Sequence, residues 1–325
     1  MREEIVIDGA YAQLFADFVE FKRSVGYGYP RQTIEQLRQF SRFIATYPTL
    51  DTILSKEMVD AYCIPRDGEA VSTRKKRGIM ARQFALYLQT IGFDCYLPPE
   101  NHEPDRTDFI PYIITEDEMH RIIACADDQP YLPHTPNTKH VYSMLIRMLW
   151  CCGLRIGEAV ALTVGDVNLD DAVLTISRAK HNRTRFVPMS ETLTQYAREY
   201  WEKMGFIREN PTALFYPNPR KKKYDRVVAS RHVKKIIINS GVAGADGKSP
   251  RVHDIRHSFA VRSLRKMEED GIDIYCSLPL LSAYMGHSDI KSTEYYLRLT
   301  GSAFSEIAEA MHECYDGVFP EVDLI

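Results

Sequence analysis

Between residues 250 and 298 this chain gathers two clusters of imidazole and cationic side chains around a pair of tyrosines, a density that few folds can accommodate. The first cluster reads Pro250-Arg251-Val252-His253-Asp254-Ile255-Arg256-His257-Ser258-Phe259. Pro250 suits a first helical position, and His253, Arg256 and His257 then fall at i, i+3 and i+4, so one helical face presents all three. Ile255, Phe259 and Leu264 supply the buried side. The second cluster reads Met285-Gly286-His287-Ser288-Asp289-Ile290-Lys291-Ser292-Thr293-Glu294-Tyr295-Tyr296-Leu297-Arg298. Imidazoles and cations flanking a phenol point to a site that handles a polyanion covalently.

The formal net charge of −3 argues against a polyanion until its distribution is followed. Residues 1–20 carry five acids and one base, and residues 302–325 carry six acids and no base, which leaves a net of +7 over residues 21–301. Two basic runs stand out in that span: Arg74, Lys75, Lys76 and Arg77 on an expected helix, and residues 220–235, with Lys221, Lys222 and Lys223, where eight bases meet one acid. Such runs fit a groove that tracks a phosphate backbone. The 220–223 loop is expected to be mobile without a polyanion.

The 325 residues, 45% of them hydrophobic, suffice for about two cores. Helical periodicity marks residues 11–24, 31–47, 58–64 and 72–91, a small bundle. Pro98-Pro99 and Pro104 mark a linker, which sets expected domains at 1–97 and 112–325 with residues 98–111 between them. Thr115 and Glu118 form an expected capping box, and residues 141–152 carry an apolar helical stripe that stops at Gly153. The period then changes. A turn at 168–171, a β-rich run, a polar tip around residues 179–184 and a second run at 185–188 read as a hairpin, followed by helices at 191–204 and 230–240. No apolar run approaches the roughly 18 residues of a membrane span, and Met1-Arg2-Glu3-Glu4 has no signal-peptide pattern, so a cytoplasmic protein is expected. Seven scattered cysteines imply reduced thiols and no metal site. A zinc site on His253 and His257 is disfavoured, since Asp254 stands where the His-Glu-x-x-His glutamate belongs and Arg256 adds a cation.

Together these motifs resemble the tyrosine recombinases, the phage integrase family that includes the Xer and Cre recombinases. That family carries a His-x-x-Arg-His segment, a Gly-His pair some thirty residues on, and a nucleophilic tyrosine nine positions after that histidine. His253 and Arg256, Gly286-His287 and Tyr296 match it, and Tyr295 is off by one. Gly153-Leu154-Arg155-Ile156-Gly157-Glu158 matches a second motif, whose arginine is catalytic and whose acid supports it. Lys180 aligns with the family's hairpin lysine, although Ala179 and His181 replace the usual glycines.

The resemblance implies a mainly α fold, with an N-terminal helical core-binding bundle and an α+β catalytic domain bearing a small antiparallel sheet. It implies catalysis by Arg155, Lys180, His253, Arg256, His287 and Tyr296, with Glu158 and His257 in support and no metal or cofactor. Arg74, Lys75, Lys76, Arg77, Arg183, Arg185, Lys221, Lys222 and Lys223 are expected DNA contacts. The implied partner is double-stranded DNA with inverted-repeat core sites, bound by a tetramer in the nucleoid, with an accessory recombinase or directionality factor. The implied activity is site-specific recombination through a 3′-phosphotyrosyl intermediate and a Holliday junction, for integration and excision of a mobile element or, alternatively, chromosome dimer resolution. A catalytically silent DNA-binding protein of the same fold is the rival reading. Residues 302–325, acidic and amphipathic, are expected to dock on a neighbouring protomer or on their own domain.

Overall fold

The computed structural model describes residues 11–27, 29, 31–47, 54–100, 110–177 and 184–286, and Lys180, Arg183, His287, Tyr295, Tyr296 and the 302–325 segment lie outside them. The chain divides into two compact units, Met1–Phe109 and Ile110–Ile325.

In the first unit, α1 (Ala12–Ser24), α2 (Arg31–Ile44), α3 (Lys56–Cys63) and α4 (Val71–Thr90) enclose an aromatic core. Phe15 stacks on Phe84 at 4.0 Å, and Phe40 meets Tyr62 at 4.5 Å. Helix α3 starts earlier than its apolar pattern indicates because the Ser55 hydroxyl accepts from Met58 N and caps it. On α4 the buried stripe is Arg77, Ala81, Phe84 and Leu88, spaced at i, i+4, i+7 and i+11. Arg77 therefore points inward. Its guanidinium donates to the Tyr62 carbonyl, to the Ile64 carbonyl at 3.0 Å and to Glu69. It pins the α3–α4 connection, an inward placement that the sequence reading as a DNA contact did not include. Lys76 is exposed, while Arg74 and Lys75 are half-buried.

The second unit is built around α6 (Thr138–Cys152), whose Val141, Leu145, Met148 and Cys152 are buried on the expected stripe. Helix α5 (Glu116–Asp127) packs against it and opens with the Thr115–Glu118 capping box. Helix α6 ends at Gly153, left-handed at φ 59°, where the single turn α7 (Ile156–Ala159) begins. Strands β1 (Val167–Asn168), β2 (Val173–Ser177) and β3 (Thr184–Pro188) form an antiparallel sheet in that order, with Leu174 opposite Val187 and Ile176 opposite Arg185. Asn168 makes the turn by accepting from Asp170 N and Asp171 N, both at 3.0 Å. Helix α8 (Glu191–Met204) follows. Helix α9 (Arg226–Asn239) begins four residues before its expected start because the Asp225 carboxylate accepts from Val227 N and Val228 N.

Two helices then differ from the sequence reading. In α10 (Val252–Glu269) the N-cap is Arg251, so Pro250 precedes the cap and is not at the first helical position. Helix α11 (Ile274–Met285) was not foreseen, since it is apolar on nearly every side and holds Pro279 inside it. Among the described residues no helix is long and apolar enough to cross a membrane, and the cysteines described are free thiols.

Candidate active site

Three separated segments converge where α6 ends. Gly153 turns the chain sharply, and a Cβ there would lie 2.3 Å from the Phe259 ring of α10, so only glycine permits this approach. The turn leaves Arg155 as N-cap of α7, with extended backbone and a side chain 37% exposed. The Glu158 carboxylate accepts from Arg155 N at 3.0 Å and from its Nη1 at 2.9 Å, so the acid supplies its half of a capping box while the arginine, which can only donate, adds an ion pair.

Arg256 enters the same space from α10 and is nearly fully buried. Its Nη1 donates to the Gly153 carbonyl at 2.5 Å and its Nη2 to the Met285 carbonyl at 2.7 Å, while Nη1 also stands 4.0 Å from Glu158. Arg155 reaches the end of α11 as well, donating to the Met285 carbonyl at 3.4 Å and to Gly286 O at 3.5 Å. The C-terminal carbonyls of a helix carry partial negative charge, so they suit two guanidiniums.

His253 and His257 lie one turn apart on α10 with rings 4.7 Å apart and nearly perpendicular. Removal from water, then the charges of Arg256, Arg155 and Arg251, keeps the His253 imidazole below its ordinary pKa of 6.5, although part of the residue faces solvent. Removal from water and the neighbouring His253 push His257 down to about 4. Both rings are therefore neutral at pH 7. Asp254 cannot join them around a metal, since its carboxylate is turned to Arg251, whose Nη2 lies at 2.9 Å and whose N lies at 2.6 Å. Among the described residues there is no group of three metal-ligating side chains.

Arg185 is placed differently from its sequence reading as a phosphate contact. Alternation along β3 turns Arg185 and Val187 inward while Thr184, Phe186 and Pro188 face out. Its fork grips Glu158, with Nη2 to Oε2 at 2.8 Å and Nη1 to Oε1 at 3.2 Å, and both side chains are 13% exposed. Both terminal nitrogens are thus engaged by a carboxylate. Burial would raise the Glu158 carboxyl, but the hydrogen bond and charge of Arg185, followed by Arg155, outweigh it and hold the pKa at about 2. The period-2 pattern of Thr-Arg-Phe-Val-Pro already contained this inward placement.

The basic segment after α8 forms a hydrogen-bonded turn. The Asn218 side chain accepts from Arg220 N at 2.9 Å and Lys222 N at 3.0 Å, while Asn218 N donates to Lys222 O at 2.8 Å. Arg220, Lys221, Lys222 and Lys223 all project into solvent from it.

Sequence comparison decides what this constellation belongs to. The model of the phage integrase family matches residues 113–302, more than half of the chain and the whole of the site described above. The chain belongs to the phage integrase family. This integrase is 29% identical over 294 residues to the putative integrase/recombinase y4rE of Sinorhizobium fredii, covering 88% of this chain and 90% of that one. It is 26% identical over 250 residues to tyrosine recombinase XerD of Neisseria meningitidis, covering 76% and 79%. Its fold is that of the XerH site-specific recombinase solved with palindromic difH substrate after cleavage, with a TM-score of 0.66 at 17% identity over 92% of this chain and 84% of that one. The mainly helical architecture with a small antiparallel sheet is thus the one the sequence led us to expect.

Proposed function

We infer that this integrase is a tyrosine-type site-specific DNA recombinase in which Tyr296 attacks a phosphodiester. The observation that carries this reading is the convergence of Arg155 and Arg256 on the Met285 carbonyl beside a neutral His253. Two guanidiniums so placed can grip the nonbridging oxygens of a phosphate as its charge grows in the transition state, a task that metal ions perform in other phosphoryl-transfer sites. Neutral His253 has a lone pair to take the phenol proton as the Tyr296 Oη–P bond forms. The P–O5′ bond breaks, Lys180 gives a proton to the departing oxygen, and His287 donates to a nonbridging oxygen. Because the 3′-phosphotyrosyl product keeps the energy of the phosphodiester, a 5′-hydroxyl from another strand can reverse the step, and strand exchange through a Holliday junction follows.

Integration and excision of a mobile element is the role we favour, since the relatives include a putative integrase/recombinase over nearly the full chain. A homotetramer on paired DNA sites with inverted repeats in the nucleoid completes the proposal, with Lys76 and the Lys221, Lys222 and Lys223 turn as phosphate contacts.

Covalent trapping tests it. DNA from the flanks of the gene, carrying a nick near candidate repeats, should give a denaturation-resistant adduct with wild type and with Tyr295→Phe, and none with Tyr296→Phe. Loss with Tyr295→Phe alone would shift the nucleophile by one position. Tight, salt-sensitive binding without any adduct would instead establish a silent DNA-binding protein.

A further inference from the structure

We propose that Arg185 is a positioning residue for DNA cleavage: by pairing with Glu158 it keeps that carboxylate from neutralising Arg155 and Arg256. This rests on the reading of the site as the cleavage centre.

The carboxylate of Glu158 is shared. It accepts from Arg155 N and Nη1, takes both terminal nitrogens of Arg185, and stands 4.0 Å from Arg256 Nη1. A guanidinium is charged at every working pH, and Glu158 with its pKa at about 2 is charged as well. Among the described residues, three guanidiniums against one carboxylate leave two net positive charges at the site where, on the proposed reading, a phosphate gains negative charge. Without Arg185 a larger share of the charge of Glu158 would fall on Arg155 and Arg256. Arg155 would be held more tightly to the carboxylate and Arg256 drawn toward it, and the net charge of the group would drop to one.

Arg185 has little else to do there. It projects inward from the middle of β3, and both of its terminal nitrogens are taken by Glu158. Its Nε is buried and has no hydrogen-bond partner among the described residues. Leaving a donor unpaired in the interior costs roughly 1–3 kcal/mol. A well-packed apolar residue in place of a buried ion pair is commonly neutral or stabilising. A position that served packing alone would not call for this side chain, whereas one that must hold a carboxylate in a fixed orientation calls for a bidentate fork.

Four proteins make the test: wild type, Arg185→Met, Glu158→Gln and the double variant Arg185→Met/Glu158→Gln. Each is compared by the rate of covalent adduct formation on nicked DNA from the gene's flanks, by affinity for that DNA, and by thermal midpoint. Arg185→Met should form adduct about 10²-fold more slowly, the loss typical of misplaced catalytic groups, with affinity changed less than about threefold. Adding Glu158→Gln removes the freed carboxylate and should restore the rate at least tenfold. Arg185→Lys, which keeps the charge and loses the fork, should lie between wild type and Arg185→Met. A purely structural role predicts the opposite order, with the double variant as slow as the single one or slower, and that result overturns the proposal. So does wild-type cleavage by Arg185→Met. If Arg185→Met does not fold, Arg185→Gln takes its place in the same set, and failure of both to fold makes the arginine structural. Absence of adduct from wild type removes the reading of the site and this inference with it, whereas adduct from wild type with no recovery in the double variant removes the inference alone.

Discussion

Arg155 and Arg256 donate to one oxygen, the carbonyl of Met285, at 3.4 and 2.7 Å, yet one is 37% exposed and the other 2%. Their substitutions should therefore separate. Arg155→Ala should slow adduct formation by roughly 10²–10³-fold, as loss of a transition-state donor does, and move the thermal midpoint little. Arg256→Ala should show the same kinetic loss and also cost about 1–3 kcal/mol, since it strands the Gly153 carbonyl in the interior and leaves Met285 O only the longer bond from Arg155. Equal midpoints for the two variants in a thermal melt would contradict this division.

The two histidines predict different acid responses. The folded His253 and His257 both bind protons less readily than in the unfolded chain, where the pKa is near 6.5. The unfolded state therefore takes up more protons below that value, and stability present above pH 6.5 is lost as pH falls toward 4. Melting wild type and His257→Gln across this window should show a declining midpoint in the first and a flatter one in the second. If His253 takes the Tyr296 proton, the acid limb of the cleavage rate lies below pH 6.5, and His253→Gln removes the limb together with most of the rate.

Gly153 couples backbone and site. In Gly153→Ala the new methyl would meet Phe259 at 2.3 Å, in a left-handed conformation that disfavours any side chain. The conformation costs roughly 1 kcal/mol and the clash about 1–3 more. Because Arg256 is hydrogen-bonded to the Gly153 carbonyl, the variant should lose cleavage along with stability. Urea unfolding and adduct formation measured side by side would reveal a change in one without the other.

In the first unit, neighbouring cations on α4 should behave oppositely. Arg77→Met removes a buried guanidinium from the Tyr62 and Ile64 carbonyls and from Glu69, at a cost on the order of 2–4 kcal/mol. Lys76→Ala should leave the melt unchanged and, if Lys76 meets a phosphate, reduce the salt slope of DNA binding by about one. A melt lowered by Lys76→Ala and untouched by Arg77→Met would reverse the assignment.

How far the sequence could be read depended on which interactions are local. Periodicity and caps act over a few residues, so helices in both units, the Thr115 box and the end of α6 at Gly153 were legible. Arg155, Glu158, His253 and Arg256 were legible as motifs, but their meeting depends on α6, α10 and α11 packing together, which no window reports. Helix α11 escaped notice because a segment apolar all round has no helical period. The inward placement of Arg77 and Arg185 was missed for a shared reason. A charge in a basic run or hairpin reads as solvent-facing, whereas the stripe on α4 and the alternation on β3 turn these two inward, toward Glu69 and Glu158.

The burial of Arg256 has a consequence for safety. Its anchors, Gly153 and Met285, come from segments far apart in the chain, so the guanidinium pair exists only when α6, α10 and α11 are all docked. A half-folded molecule, whether emerging from the ribosome or fraying under heat, holds no weaker version of the centre. On the proposal that this pair serves cleavage, competence to cut DNA is reserved for molecules that have finished folding.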